Sequence, residues 1–190
     1  MKEIHVLSDI DSISQAVAEK WRVLSEQAIS GHGGFHIALS GGSTPRCLFE
    51  FLATSDYSNR IDWSRTHIYF GDERSVPADH KDSNFKMASD ALLDRVKIPG
   101  SQIYRMPADA DDIQKAAEEY SSLLKKKLPA SDDGQVQFDL VLLGMGDDGH
   151  TASLFPGTTI LEETDKLVSA VYVDKMATWR MSLTFPVINN

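Results

Sequence analysis

The sequence predicts one α/β domain, residues 1–190, with a mostly parallel, Rossmann-like sheet carrying helices on both faces. Three observations carry that expectation. Short apolar runs, such as Phe35 to Leu39, Thr66 to Phe70 and Phe138 to Leu143, alternate with amphipathic stretches of helical period; this alternation is the pattern of a covered parallel sheet. The runs end in Ser40-Gly41-Gly42, Gly71-Asp72-Glu73 and Gly144-Met145-Gly146, just where open α/β sheets keep their chemistry. Finally, 190 residues bury one sizeable core without a second domain, and no repeat or low-complexity linker divides the chain.

Ile4 to Leu7 is expected as a short first strand. Ile13, Val17, Trp21, Leu24 and Ala28 then form the apolar stripe of a helix, stopped by Gly31-His32-Gly33-Gly34. After the strand Phe35 to Leu39 comes a helix with Pro45 as its first residue, Ser43 or Thr44 as cap, and Leu48, Phe49 and Leu52 buried. Thr66 to Phe70 reads as a strand, and Phe85, Ala88, Leu92 and Leu93 suit a helix capped by Ser83. Ile103 to Met106 is equivocal. Ile113, Ala116, Ala117, Tyr120, Leu123, Leu124 and Leu128 form a strong helical stripe closed by Pro129. The polar turn Ser131-Asp132-Asp133-Gly134 leads into Phe138 to Leu143, expected as a buried parallel strand. Leu167 to Val173 and Met181 to Phe185 alternate like strands, and Pro186 to Asn190 looks like the start of a helix capped by Asn189 or Asn190.

Composition narrows the function classes. A hydrophobic fraction of 42% argues against disorder, and a net charge of -9 argues against nonspecific nucleic-acid binding, while leaving room for a local cationic pocket. The single cysteine, Cys47, lies in an apolar helical pattern and reads as inert packing. Residues 1–11 carry four charges and form no secretory core, and no run approaches the roughly 18 apolar residues of a membrane span. The expected compartment is cytoplasmic, with no membrane and no nucleic-acid partner.

Four segments carry candidate chemistry. Ser40-Gly41-Gly42-Ser43-Thr44-Pro45 joins a strand to a helix, and its glycines, hydroxyls and following helix N-terminus make a phosphate cradle. An ordinary tight turn is the competing reading, and a Walker loop is excluded because Gly-Lys-Ser/Thr is absent. In Asp72-Glu73-Arg74 the guanidinium can clamp a phosphate, with the carboxylates orienting it or binding substrate hydroxyls; the alternative is a surface ion-pair cluster. Arg180 precedes a strand and offers a second guanidinium, against the plainer reading of a solvent-facing arginine.

The fourth segment, Gly144 to Gly157, formally contains GxGxxG, yet it argues against a dinucleotide site. Asp147 and Asp148 would repel a pyrophosphate, Pro156 leaves little helix, and the motif comes late in the chain. His150 instead suits a general base or acid, and Asp148, two residues earlier across Gly149, can hold its ring or bind a polar substrate group. No metal site is expected, since HExxH is missing and His5, His32, His36, His67 and His80 are scattered. Asp79, Asp90 and Lys125-Lys126-Lys127 read as solvated faces.

Taken in order, Ser40 to Pro45, Gly71 to Arg74 with Val76-Pro77 and Ser83-Asn84, Gly144 to Gly157, and Arg180-Met181-Ser182-Leu183-Thr184 resemble the 6-phosphogluconolactonases of the glucosamine-6-phosphate isomerase/6-phosphogluconolactonase superfamily. The resemblance covers almost the whole chain. It implies a glucosamine-6-phosphate isomerase-like fold and hydrolysis of 6-phospho-D-glucono-1,5-lactone to 6-phosphogluconate in the pentose phosphate pathway, with no organic cofactor or metal. By that resemblance His150 activates water for attack on the lactone carbonyl and then helps protonate the ring oxygen. Ser40, Gly41, Gly42, Ser43, Thr44 and Arg74 are then phosphate-side groups, with Arg180 a further candidate, and Asp148 is an orienting or substrate-binding carboxylate.

The rivals are a hexosamine-6-phosphate deaminase/isomerase of the same fold and a noncatalytic sugar-phosphate-binding protein. Thr151-Ala152-Ser153-Leu154-Phe155-Pro156 resembles the lactonase pattern and not the deaminase pattern. The family pattern continues well beyond Asn190, so the chain is expected to lack the usual C-terminal strand and helix and a lysine that often helps hold phosphate. Monomer and homodimer both stay open.

Overall fold

Residues 2–131 and 134–190 are described by a computed structural model. The chain opens with α1 (Ile10–His32), β1 (Phe35–Leu39), α2 (Ser43–Leu52) and the single turn α3 (Ser55–Ser58). It continues through β2 (Thr66–Phe70), β3 (Asp72–Arg74), α4 (Asn84–Ala91) and α5 (Ile113–Lys127). β4 (Leu140–Val141), β5 (Val168–Val173), β6 (Thr178–Leu183) and the single turn α6 (Phe185–Ile188) complete it. Local chemistry sets these limits. Asp9 caps α1 by accepting from the Ser12 amide at 2.8 Å, and Gly33 ends it in a left-handed conformation at φ 91°. Ser83 and Asp112 cap α4 and α5 in the same way as Asp9.

The strands form two sheets. β2, β1 and β4 are parallel in that order, whereas β3, β6 and β5 are antiparallel. The expected α/β class holds, but the mostly parallel sheet is in fact a parallel sheet joined to an antiparallel one. Gly71 is the joint: its amide donates to Leu39 of the first sheet, and its carbonyl accepts from Leu183 of the second, both at 2.8 Å. The main core lies around Trp21, Phe35, Phe49 and Tyr69, with Trp21 packed on Phe35 and Trp63. A smaller cluster of Leu154, Phe155, Ile160, Val171 and Val173 underlies the loop that follows Gly149.

Several expectations require correction. Ile4 to Leu7 is not a strand; Ile4 and Val6 are each 89% exposed, and the segment pairs with none of the described strands. In the run from Phe138 to Leu143 only Leu140 and Val141 pair with β1, and this edge strand is half-buried on one open side. The helix at Pro45 begins earlier, at Ser43, with Gly42 at φ 107° as its cap. The last turn begins at Phe185 with Pro186 inside it, so Asn189 ends a helix instead of starting one. Ile103 makes a single parallel bridge to Ile68. Asp132 and Asp133 of the expected polar turn lie outside the described residues. Among the described residues no helix is long and apolar enough to cross a membrane.

Candidate active site

The carboxyl ends of β1 and β4 and the start of β3 surround one cleft of about 320 Å³. It is lined by Ser40, Gly41, Gly42, Ser43 and Thr44 from the first loop, Asp72 and Arg74 from β3, His150 and Ser153 from the late loop, and Met176 and Arg180 from the β5–β6 hairpin. Residues far apart in sequence thus meet where the two sheets diverge, the location favoured for ligands in open α/β sheets.

His150 is held from three sides. Asp148 accepts a hydrogen bond from the ring Nδ1, because a carboxylate in its ionised form can only accept; this leaves Nε2 with its lone pair. Phe155 stacks on the ring at 4.0 Å between centroids, with its own side chain set in the smaller core. Behind the ring, a β-carbon on Gly146 would collide with Cε1 and Nδ1, so that position must be glycine. Gly149 turns the chain at φ 83°, and the amide of Gly146 donates to the carbonyl of His150 at 2.8 Å. Lys175 donates to the other Asp148 oxygen at 3.2 Å. The bond from His150, and then the one from Lys175, hold the Asp148 carboxyl well below the usual carboxylate range.

The opposite wall is cationic. Arg74 and Arg180 lie directly across from each other in the β3–β6 pairing, an arrangement in which like charges repel. Arg74 donates to the Asp82 carbonyl at 2.5 Å and Arg180 to the Met176 sulfur at 3.1 Å. The Nε of each is buried without a hydrogen-bond partner among the described residues. Burial, and next the Arg74 charge, press the Arg180 guanidinium down from its ordinary value. An anion between the two guanidiniums would relieve the repulsion. The N-terminus of α2 adds to this wall, since Gly42 provides no side-chain cap and Ser43 and Thr44 of its first turn line the cleft.

Glu73 stands apart from its neighbours. Its carboxylate accepts from the amides of Arg74, Asn84 and Phe85, each at 2.8 Å, and from the Ser83 hydroxyl at 3.0 Å. It anchors α4 and does not line the cleft, which corrects its expected place among the substrate-facing groups. The reason is the pleat: successive strand residues point to opposite faces, so Asp72 and Arg74 share the cleft side and Glu73 takes the other. Asp72 is buried, accepting from Asn84 at 3.0 Å and from Ser153 at 2.7 Å. Asn84, Ser153, Phe155, Lys175 and Met176 were not singled out from the sequence as site residues. Ser153 and Phe155 stood inside the quoted Gly144–Gly157 motif, whereas Lys175 and Met176 sit on a hairpin tip with no local signature. Among the described residues, no group of three or more His, Cys, Asp or Glu side chains is placed to hold a metal ion.

The profile of glucosamine-6-phosphate isomerases/6-phosphogluconolactonase matches residues 8–190. The chain belongs to that family. It is similar to the probable chloroplastic 6-phosphogluconolactonase 3 of Oryza sativa subsp. indica, with 41% identity over 188 residues covering 94% of this chain and 56% of that protein. It is 43% identical over 163 residues to the 6-phosphogluconolactonase of Synechocystis sp., covering 86% and 65%. The chain therefore spans 56% and 65% of the length of these two relatives. Its fold superposes on the 6-phosphogluconolactonase of Trypanosoma brucei with a TM-score of 0.85 at 30% identity, covering 97% of this chain and 76% of that one. Within this family fold, the segments that carried the resemblance are those that converge on the cleft.

Proposed function

We propose that the chain provides the catalytic cleft of a 6-phosphogluconolactonase, opening 6-phospho-D-glucono-1,5-lactone to 6-phosphogluconate. One observation carries the reading: a carboxylate-held imidazole and a cross-strand pair of guanidiniums line the same cleft. The guanidiniums and the Ser40–Thr44 loop take the phosphate, and Asp72 accepts from a substrate hydroxyl. Such anchoring brings the lactone carbonyl to His150 as an intramolecular reactant.

Asp148 keeps the Nδ1–H tautomer, so Nε2 removes a proton from water as its oxygen bonds to C1. The carbonyl π electrons move to oxygen and give a tetrahedral intermediate. As the carbonyl re-forms, the C1–ring oxygen bond breaks, and the imidazolium returns its proton to the departing ring oxygen. The product is an open-chain hydroxy acid that ionises in water, and His150 ends neutral. An ester carbonyl is already activated, so one positioned base suffices and no covalent intermediate is required.

Substrate discrimination tests the reading. Hydrolysis above the spontaneous background is expected with the phosphorylated lactone. The unphosphorylated lactone should show kcat/KM lower by about a hundredfold or more, the value of two charge-assisted guanidinium contacts. Equal rates on the two lactones would overturn the assigned anion wall. Turnover of glucosamine 6-phosphate with no lactone opening would favour the deaminase instead.

A further inference from the structure

We propose that Asn84 is a positioning residue that locks the anion-binding loop to the Asp72 carboxylate; this rests on the sugar-phosphate reading of the cleft. Asn84 is the first residue of α4 and is 3% exposed. Its backbone is already fixed without its side chain, because its amide donates to Glu73 at 2.8 Å and Ser83 caps the helix. The carboxamide is therefore committed elsewhere. Its Nδ2 donates to both the carbonyl and the Oδ1 of Asp72, at 2.9 and 3.0 Å.

The other side of the same carboxamide supports Gly41. A β-carbon there would collide with Asn84 Oδ1 and approach Cγ to 2.6 Å and Nδ2 to 2.9 Å. The loop backbone rests directly on the amide, so its height over the cleft is set by Asn84. One planar group thus fixes the separation between the Ser40–Thr44 donors and the Asp72 acceptor. Ser153 holds the second Asp72 oxygen at 2.7 Å from the late loop that carries His150. The chain from Gly41 through Asn84, Asp72 and Ser153 ties the phosphate side of the cleft to the catalytic side. Arg74, Arg180, Glu73 and Asp82 are charged groups near it.

Asn84→Asp tests this with almost no change of shape. It replaces an amide donor by a carboxylate facing Asp72, and two such carboxylates share one proton more readily as pH falls. Inorganic phosphate binding and lactone hydrolysis are both measured, from about pH 8 down to about pH 5, against the unmodified chain at each pH. The expected result for N84D is phosphate affinity and 1/KM reduced on the order of tenfold at high pH, recovering toward the unmodified values at low pH as the shared proton restores a donor. N84A should show a similar loss with no recovery. Two variants matching the unmodified chain throughout, or N84D staying weak at low pH, would overturn the inference. An unmodified chain that binds phosphate yet opens no lactone would remove the lactonase reading, and the phosphate arm would still decide the role of Asn84. If the unmodified chain binds no phosphate, both fall.

Discussion

At the scale of single residues, the chemistry depends on what surrounds one imidazole. Gly146→Ala would push a methyl into the His150 ring, and its kcat/KM should fall by roughly ten- to a hundredfold while the circular dichroism spectrum is retained. Lys175 acts on the same ring through Asp148, drawing off part of the carboxylate charge. In Lys175→Met the carboxylate loses that hydrogen bond and holds the ring less firmly, so kcat/KM should fall by about two- to fivefold. Lys175 is 71% exposed on its side chain, and the loss should therefore shrink in high salt. A kcat/KM unchanged at low ionic strength would show that Lys175 does not act on the ring.

At the scale of elements, Glu73 and α4 form one unit. Glu73→Ala strips four accepting contacts from a buried helix start and should lower unfolding free energy by about 2–4 kcal/mol in urea titration. A near-neutral result would mean that α4 is anchored by packing alone. The same segment shows what could be read from sequence. Phe35–Leu39 and Thr66–Phe70 match β1 and β2 residue for residue, because continuous apolar runs between polar breaks have few other places to go. Asp72 and Arg74 reach the cleft as expected, while Glu73 does not, although the two-residue period of a strand already separates them. The antiparallel direction of β3, β6 and β5 was not legible, since strand polarity depends on how distant segments pair. Ile4 to Leu7 failed for a related reason: a run becomes a strand only by pairing with a distant segment, and this one pairs with none of the described strands.

At the scale of the whole molecule, the two ends of the parallel sheet differ in kind. The carboxyl end holds the cleft, and the amino end buries a stack in which His36 lies on His67 at 4.5 Å and meets the Tyr69 hydroxyl at 3.2 Å. Burial, then the charges of His67 and His32, lower His36 to about 4 from an ordinary 6.5. The unfolded chain therefore binds more protons than the folded one between these values, and stability rises with pH across that window. It is fully present above pH 6.5 and is lost as pH falls toward 4, by on the order of 3 kcal/mol over the whole window. Urea midpoints at about pH 7.5 and about pH 5 should differ accordingly, and His36→Phe should flatten the difference. A slope that persists unchanged in that variant would place the effect elsewhere.

In the proposed lactonase, one cleft joins a base at His150 to an anion site at Arg74 and Arg180. Steady-state hydrolysis of freshly generated 6-phosphoglucono-1,5-lactone tests it most directly, corrected for spontaneous opening and run with the unmodified chain, His150→Ala and Arg180→Met side by side. His150→Ala should lose kcat by at least about a hundredfold while still binding 6-phosphogluconate, and Arg180→Met should mainly raise KM. Rapid turnover surviving in His150→Ala would contradict it.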